Sequence, residues 1–306
     1  QTHRTPLSIM SAPEDEHDDR PLVSDLLEKY SDQIKHVREV IETDRFYVAD
    51  KYDNLWILRF VLSHKGSKTK AAKVALKTME FRNQYKLNEI GNLNYTLMNE
   101  PKEDEHEIIK VCRRYYECFG EVGIIATLPD SNRGIVKFTE PAELDTKGVI
   151  AEFTEEDFIL LSIATSENFQ QTLDFVTRKT GRLTKLLNIM DNSGMKLKDV
   201  NMALLKRDSR CSKITEDFYP QLLGSVFVVH APSWVSMIWK VTKPLLPRRT
   251  VEKIDFISSK ESGNFERFSR YISKSNLPKR FGGENETHPP TLKDVFGEDP
   301  HIFESV

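Results

Sequence analysis

Twenty-two consecutive residues, 218–239, contain no Asp, Glu, Lys or Arg. A stretch of that length either crosses a bilayer or is enclosed by the rest of the fold. Its own residues decide between the two. Pro220, Gln221, Gly224, Ser225, His230, Pro232, Ser233 and Ser236 interrupt it. A proline in mid-helix removes a hydrogen bond and clashes with the preceding turn, so Pro232 would break any span. The stretch therefore parses as three pieces: a short helix over 218–223, a buried strand over 225–230, and a new helix opening at Ser233. The β-branched and aromatic run Val226-Phe227-Val228-Val229 suits a strand covered on both faces.

The flanking patterns set the fold class. Leu22, Leu26, Tyr30, Ile34, Val37 and Ile41 recur at spacings of three and four, which predicts a helix. Asp53 caps a second helix, and Ser67 caps a third that carries Ala71, Ala75, Met79 and Arg82. No strand signal occurs there, so a three-helix bundle is expected. Beyond Asn92 strands enter. A helix over 104–116 precedes a hairpin of 122–128 and 135–139, joined through the turn 129–134. Thr154 caps a long helix with acids in its first turn, ending at Gly181. A strand over 183–190, a helix over 197–211, the strand 225–230, a helix over 233–246 and a strand over 254–257 follow. Strands separated by helices give βαβ crossovers, hence an α/β fold with a mixed, largely parallel sheet. The expected organisation is an acidic tail (1–20), a helical bundle (21–95), the main domain (96–284) and a C-terminal extension (285–306).

Several function classes fall away. Lys and Arg total 44 against 47 Asp and Glu, a net charge of −3, so no basic excess points to nucleic acid. The cysteines, Cys112, Cys118 and Cys211, are too few for a disulfide scaffold and suit a reducing compartment such as the cytosol. The first residues lack a secretory apolar core, which leaves a removed organelle-targeting segment open. No G-x-S-x-G elbow occurs, and 65–70 lacks the frame of a phosphate-binding loop. Asp104-Glu105-His106-Glu107 are adjacent and read as a solvated turn rather than a metal site. Cys112 and Cys118 are expected to pack. His230 reads as a core histidine satisfied by backbone, with a polar ligand contact as the alternative.

The segment 233–246 is unusual for a surface helix. Trp234, Val235, Met237, Ile238, Trp239, Val241, Leu245 and Leu246 cover most of its circumference, and Lys240, Lys243, Arg248, Arg249 and Lys253 cluster beside it. Such a helix is either buried or a lid over an apolar cavity, able to touch a bilayer with cations near anionic headgroups.

These residues resemble the CRAL-TRIO family of lipid-binding proteins over about 22–284 of the chain. Asp53-Asn54-Leu55-Trp56-Ile57-Leu58-Arg59-Phe60-Val61 is similar to the family's D-x-x-L-L-R-F-L, and Ala71 with Glu80-Phe81-Arg82 to its later A…x-W-R. Met190-Asp191-Asn192-Ser193-Gly194 resembles the strand ending in D-x-x-G. Tyr219-Pro220-Gln221 resembles Y-P-E, and Val229-His230-Ala231-Pro232 resembles V-N-A-P. Lys243-Pro244-Leu245-Leu246, Thr250-Val251-Glu252-Lys253-Ile254 and Leu277-Pro278-Lys279-Arg280-Phe281-Gly282-Gly283 resemble K-P-F-L, T-x-x-K-I and L-P-x-x-[YF]-G-G.

The resemblance implies an N-terminal three-helix bundle packed on a lipid domain whose 233–246 helix gates an apolar pocket. It implies a carrier and not an enzyme: a monomer that encloses a single lipid, with no other cofactor, and touches membranes transiently from the cytoplasm. The implied headgroup residues are Thr250 and Lys253, with Gln221 where the family has Glu and His64 where it has Arg. The implied pocket and gate comprise Leu186, Asn188, Met190, Val226, Val228 and His230 on strands, and Trp234, Met237, Ile238, Val241 and Leu245 on the gate. Trp239, Lys240, Lys243, Arg248 and Arg249 are the implied membrane contacts. Leu186 and Asn188 replace the Ser and Thr of the family's choline-lipid site, which argues against that ligand. Phosphatidylinositol or another phospholipid is the expected cargo. The alternatives are a nonpolar ligand (sterol, tocopherol, retinoid) and a lipid-regulated protein-interaction module.

Overall fold

A computed structural model describes residues 20–93, 97, 101–119, 125–130, 134–246, 248–257, 265–269, 271–275 and 277–286. The expected N-terminal tail and most of the C-terminal extension lie outside them, as do 122–124 and the hairpin tip 131–133.

The first expected helix is two, α1 (Val23–Lys29) and α2 (Ser31–Ile41), broken at Tyr30. With α3 (Asn54–Ser63) and α4 (Lys68–Gln84), α2 forms the three-helix bundle, around Val37, Ile41, Trp56, Phe60, Ala75 and Met79. Asp53 caps α3 as expected, its carboxylate accepting the Trp56 N–H at 2.9 Å. Every residue of α3 from Leu55 to Val61 is buried, Arg59 included.

The main body contains α5 (Glu107–Phe119), β1 (Ile125–Asp130), β2 (Gly134–Thr139), α6 (Thr146–Glu152), α7 (Glu155–Thr180), β3 (Leu186–Asp191) and α8 (Met202–Glu216). It continues through β4 (Leu223–Val229), α9 (Val235–Thr242), α10 (Arg248–Val251) and β5 (Ile254–Phe256). The sheet order is β1-β2-β3-β4-β5; β1 and β2 are antiparallel and the remaining pairs parallel. The α/β expectation is met by crossovers through α7, α8 and α9–α10. Thr154 and Asp157 close a reciprocal capping box at the start of α7, and Gly181 ends that helix at φ +65°.

The sheet's two faces are treated differently. Val136, Phe138, Leu187, Ile189, Phe227 and Val229 pack under Phe268, Ile272, Leu277 and Phe281, so the C-terminal segment seals this outer face. A Cβ at Gly283 would fall well inside contact distance of the Leu277 backbone carbonyl, which cannot move without opening that seal. Gly283→Ala should therefore cost about 1–3 kcal/mol, the range for an overpacked core. A shift of the urea midpoint checks it. The inner face carries α7 and α8, and its N-terminal end is filled by Ile135, Leu186, Ile163 and Leu173.

Ion pairs and an aromatic stack help tie the bundle to this body. Arg59 donates to Asp174 on α7 through Nε at 2.8 Å, and Arg82 pairs with Glu167 on the same helix. Arg178 pairs with Asp53 at 2.5 Å. Phe81 stacks on Phe218 with ring centroids 4.1 Å apart.

Four expectations are corrected. Residues 218–223 form turns rather than a helix, because Gln221 takes a left-handed φ of +63° before β4 begins. The 233–246 helix is shorter: α9 ends at Thr242, and a 3-10 turn containing Pro244 follows. The acidic turn near His106 is not simply solvated, since Glu105 chelates Arg113 and His106 binds the Tyr85 carbonyl. Cys112 and Cys211 are buried, but Cys118 is exposed and does not pack.

Candidate functional site

The N-terminal edge of the parallel sheet, where β3, β4 and β5 begin beside the bundle, collects positive charge. Lys253 precedes β5 and donates to the Leu223 carbonyl at 2.6 Å. Thr250, one turn earlier on α10, accepts the Lys253 backbone N–H through its carbonyl at 3.0 Å. Lys185 precedes β3. Gly224 leaves room for it, since a Cβ there would sit 3.2 Å from Lys185 Cβ. Arg249 donates to Ser63 at the end of α3, at 3.0 Å.

The charges act on one another. Burial, then Lys253 and Arg59, push the Lys185 ammonium down to about 8. Burial also lowers Lys253; Glu216 opposes the shift and Arg249 adds to it. Among the described residues Lys185 makes no hydrogen bond or ion pair. Arg59 is neutralised by Asp174. Arg249 and Lys253 both act on Glu216, whose carboxyl is raised by burial and Asp217, and Lys185 adds its charge to that of Lys253. An anion placed here would relieve repulsion among the cations and supply an acceptor for Lys185.

Of the expected headgroup residues, Thr250 and Lys253 lie together, whereas Gln221 contributes differently. Its carbonyl accepts from Arg59 at 3.2 Å, and that bond, reaching across from the bundle, pins the left-handed turn. His64 does not take part; its Nδ1 binds the Phe60 carbonyl. Lys185 and Arg59 were not anticipated as neighbours of this site. Arg59 reads as a bundle motif residue and Lys185 as an ordinary strand-end lysine, and only the packed bundle joins them to Lys253.

The expected pocket is partly core. Leu186 is packed against Ile163 and Leu173, and Val226 and Val228 are buried. Asn188 and Met190, by contrast, are half-buried on the inner face, while Leu187 and Ile189 between them are sealed outside. Asn188 and Met190 are thus partly uncovered, although Val226 and Val228 beside them in register are buried.

His230 turns toward the outer layer. It takes φ +50°, hydrogen-bonds Asp191 at 2.8 Å and stacks on Phe281 of the outer layer. This partner is a carboxylate. Burial alone would push Asp191 up; hydrogen bonds from Ser193 and His230 outweigh it and hold the carboxyl below its usual range.

The helix α9 buries no residue completely. Trp234, Ile238 and Leu245 are half-buried, and Trp239 meets Phe256 of β5 edge to face at 5.2 Å. Met237 and Val241 are exposed by more than half. Two roles are thereby exchanged: Trp239 is held against the sheet edge, and Met237 and Val241 join Lys240, Lys243, Arg248 and Arg249 among the exposed residues. At 100° per residue, a helix that turns residues 235, 238, 239 and 242 inward must turn 237 and 241 outward. Beyond α9, Ser209 of α8 donates to the Leu245 carbonyl at 2.5 Å.

No helix among the described residues is long and apolar enough to cross a membrane. Among them no cluster of His, Cys, Asp and Glu could hold a metal ion.

The CRAL/TRIO domain profile matches residues 121–283. The CRAL-TRIO domain-containing protein YKL091C of Saccharomyces cerevisiae is 23% identical over 251 residues, covering 81% of this chain and 76% of that protein. The phosphatidylinositol/phosphatidylcholine transfer protein SFH12 of Arabidopsis thaliana is 32% identical over 95 residues, 31% of this chain and 17% of that one. Among solved structures, Sfh5 superposes with a TM-score of 0.56 at 13% identity, covering 93% of this chain and all of Sfh5. At that identity the likeness carries the fold.

Proposed function

The chain belongs to the CRAL/TRIO domain family of lipid-binding and transfer proteins, and we propose that it encloses one phospholipid of the phosphatidylinositol class and exchanges it at membrane surfaces. The observation that carries the headgroup class is the mutual repulsion of Lys185 and Lys253, and of Lys253 and Arg249, at the start of the parallel strands, which Glu216 offsets at Lys253. A phosphate diester supplies the missing negative charge, and Thr250 stands one turn from Lys253 to meet a headgroup hydroxyl. The relative named as a phosphatidylinositol/phosphatidylcholine transfer protein supports the same reading.

The energetics require a gate. Each buried methylene is worth about 0.8 kcal/mol, so a diacyl lipid is held by roughly 20 kcal/mol before entropic costs. Release into water is negligible, and exchange needs a second apolar phase. Met237 and Val241, with Lys240, Lys243 and Arg248 nearby, suit the first contact with an anionic bilayer, each cation contributing about 1 kcal/mol and screened by salt. The work is that of a peripheral, cytoplasmic, monomeric carrier; three free thiols suit a reducing compartment. It is not catalysis.

Denaturing extraction and mass spectrometry of the purified protein identify the cargo, and vesicle-to-vesicle transfer measures exchange. Lys253→Ala should reduce phosphatidylinositol transfer by about tenfold or more, the value of one charge-assisted hydrogen bond, with the thermal midpoint little changed. Thr250→Ala should cost less. Unchanged transfer in Lys253→Ala would move the assignment to a nonpolar ligand.

A further inference from the structure

Between Asp53 and Glu80 the chain has no acidic residue, although its net charge is −3. Arg59, the arginine of that stretch, is spent on Asp174. The lysines Lys65, Lys68, Lys70, Lys73 and Lys77 are all exposed. Four of them stand on α4. At 100° per residue, Lys70, Lys73 and Lys77 fall within about 60° of one another. They form a ridge opposite Ala71, Ala75 and Met79, which are buried in the bundle. Among the described residues none of the five lysines makes an ion pair or a side-chain hydrogen bond.

The stability of the helix does not account for this ridge. The first turn of α4 holds Lys68 and Lys70 and no acid, at the end where the macrodipole disfavours cations. Lys73 and Lys77 are a like-charged pair four residues apart, which destabilises a helix slightly. The lysines therefore point to a partner, and their chemistry selects it. Protein interfaces anchor on aromatic side chains and arginine and are depleted in lysine. The exposed positions of α4 carry neither anchor. A hydrated ammonium on a flexible stem lacks bidentate geometry and suits a diffuse anionic surface. The neighbouring elements favour a bilayer over a soluble polyanion. Arg249 of α10 donates to Ser63 at 3.0 Å, two residues before Lys65. The ridge thus starts beside the segment in which α9 exposes Met237 and Val241.

We propose that the ridge of Lys65, Lys68, Lys70, Lys73 and Lys77 is a docking surface for an anionic bilayer, holding the helical bundle against acidic headgroups while α9 meets the apolar phase. The proposal rests on the carrier reading above and adds a selectivity to it. Exchange is faster at membranes that carry acidic lipid, whatever the cargo. The bundle is then a working part of the exchange and not only a support for the lipid domain.

The test uses the full chain with vesicles of phosphatidylcholine, alone or mixed with phosphatidylserine. Co-sedimentation measures binding, and transfer of a fluorescent phospholipid measures exchange. The ridge variant combines Lys70→Gln, Lys73→Gln and Lys77→Gln; glutamine nearly matches lysine in helix propensity, so the fold is kept. A comparison variant, Lys51→Gln with Lys147→Gln and Lys198→Gln, loses the same charge from exposed positions elsewhere. One cation at an anionic leaflet is worth about a fivefold change in binding. The ridge variant should bind phosphatidylserine vesicles about tenfold or more weakly and exchange lipid with them more slowly. Its bound lipid and its exchange between phosphatidylcholine vesicles should match the wild type. High salt should erase the difference. The comparison variant should lose less than about threefold. Equal losses in the two variants would trace binding to net charge and overturn the ridge. Unchanged vesicle binding with weaker retention on poly-glutamate or DNA would assign the ridge to an acidic protein or a nucleic acid, and overturn the bilayer. Weaker binding with unchanged exchange would overturn its part in exchange. If the wild-type protein carries no lipid and exchanges none, the carrier reading fails instead, and ridge-dependent vesicle binding is still read separately.

Discussion

Glu167→Ala should lower the unfolding free energy by about 3–5 kcal/mol, the cost of leaving one partner of a buried ion pair uncompensated. Glu167 and Arg82 are both buried, at 2% and 8% exposure, and the guanidinium has no water to turn to when its partner goes. The same carboxylate accepts the Tyr219 hydroxyl at 2.9 Å, so the phenol is orphaned as well. Three segments far apart in the chain meet here: α4 of the bundle, α7, and the turn that leads into β4. Against a typical total of about 5–15 kcal/mol the loss is large. Urea denaturation should show a lower midpoint with the slope preserved, and Glu167→Gln, which keeps an acceptor, should fall between the two. A loss below about 1 kcal/mol would mean that Arg82 finds another partner or reaches solvent.

Locking the gate should slow lipid exchange by about a hundredfold or more, because an enclosed diacyl lipid has no escape through water. The helix α9 buries none of its residues completely and is held through Trp239 on Phe256 and, just beyond its end, Ser209 on Leu245. So few packed contacts mark a segment able to open without global unfolding. The Ser209–Leu245 contact makes those positions the pair to cross-link. Ser209→Cys with Leu245→Cys, in a Cys118→Ser background that removes the exposed thiol, should exchange normally when reduced and stall when oxidised. The two forms should have similar far-ultraviolet spectra. Normal exchange by the oxidised protein would place the moving element elsewhere and return α9 to a fixed wall.

Much of the scaffold was legible because its signals are local. The capping box of Thr154 and Asp157, the left-handed Gly181 and the β-branched run of β4 each act within a few residues, and each element forms where those residues stand. The motifs 53–61, 250–254 and 277–283 likewise keep their meaning, since they encode a cap, a strand entry and a close backbone approach. The apolar content of 218–223 misled for the opposite reason. Gln221 is left-handed, with its carbonyl held by an arginine 162 positions away, a contact no local pattern carries.

Side-chain direction was the other hidden variable. His230 and Asn188 sit on neighbouring strands, yet the packed structure sends one to Asp191 on the outer layer and leaves the other half-buried on the inner face. Trp239 and Val241 differ by two positions on one helix, and the rotation of α9 alone decides which meets the sheet. By itself the sequence determined the order of helices and strands, the sealed strands and the lipid-domain motifs, because periodicity, caps and turn residues act over short range. Only the tertiary structure decided that Lys185, Arg249 and Lys253 share an edge. Desolvation and mutual repulsion are properties of the assembled surroundings, and a lysine on a strand carries no mark of which medium it will face.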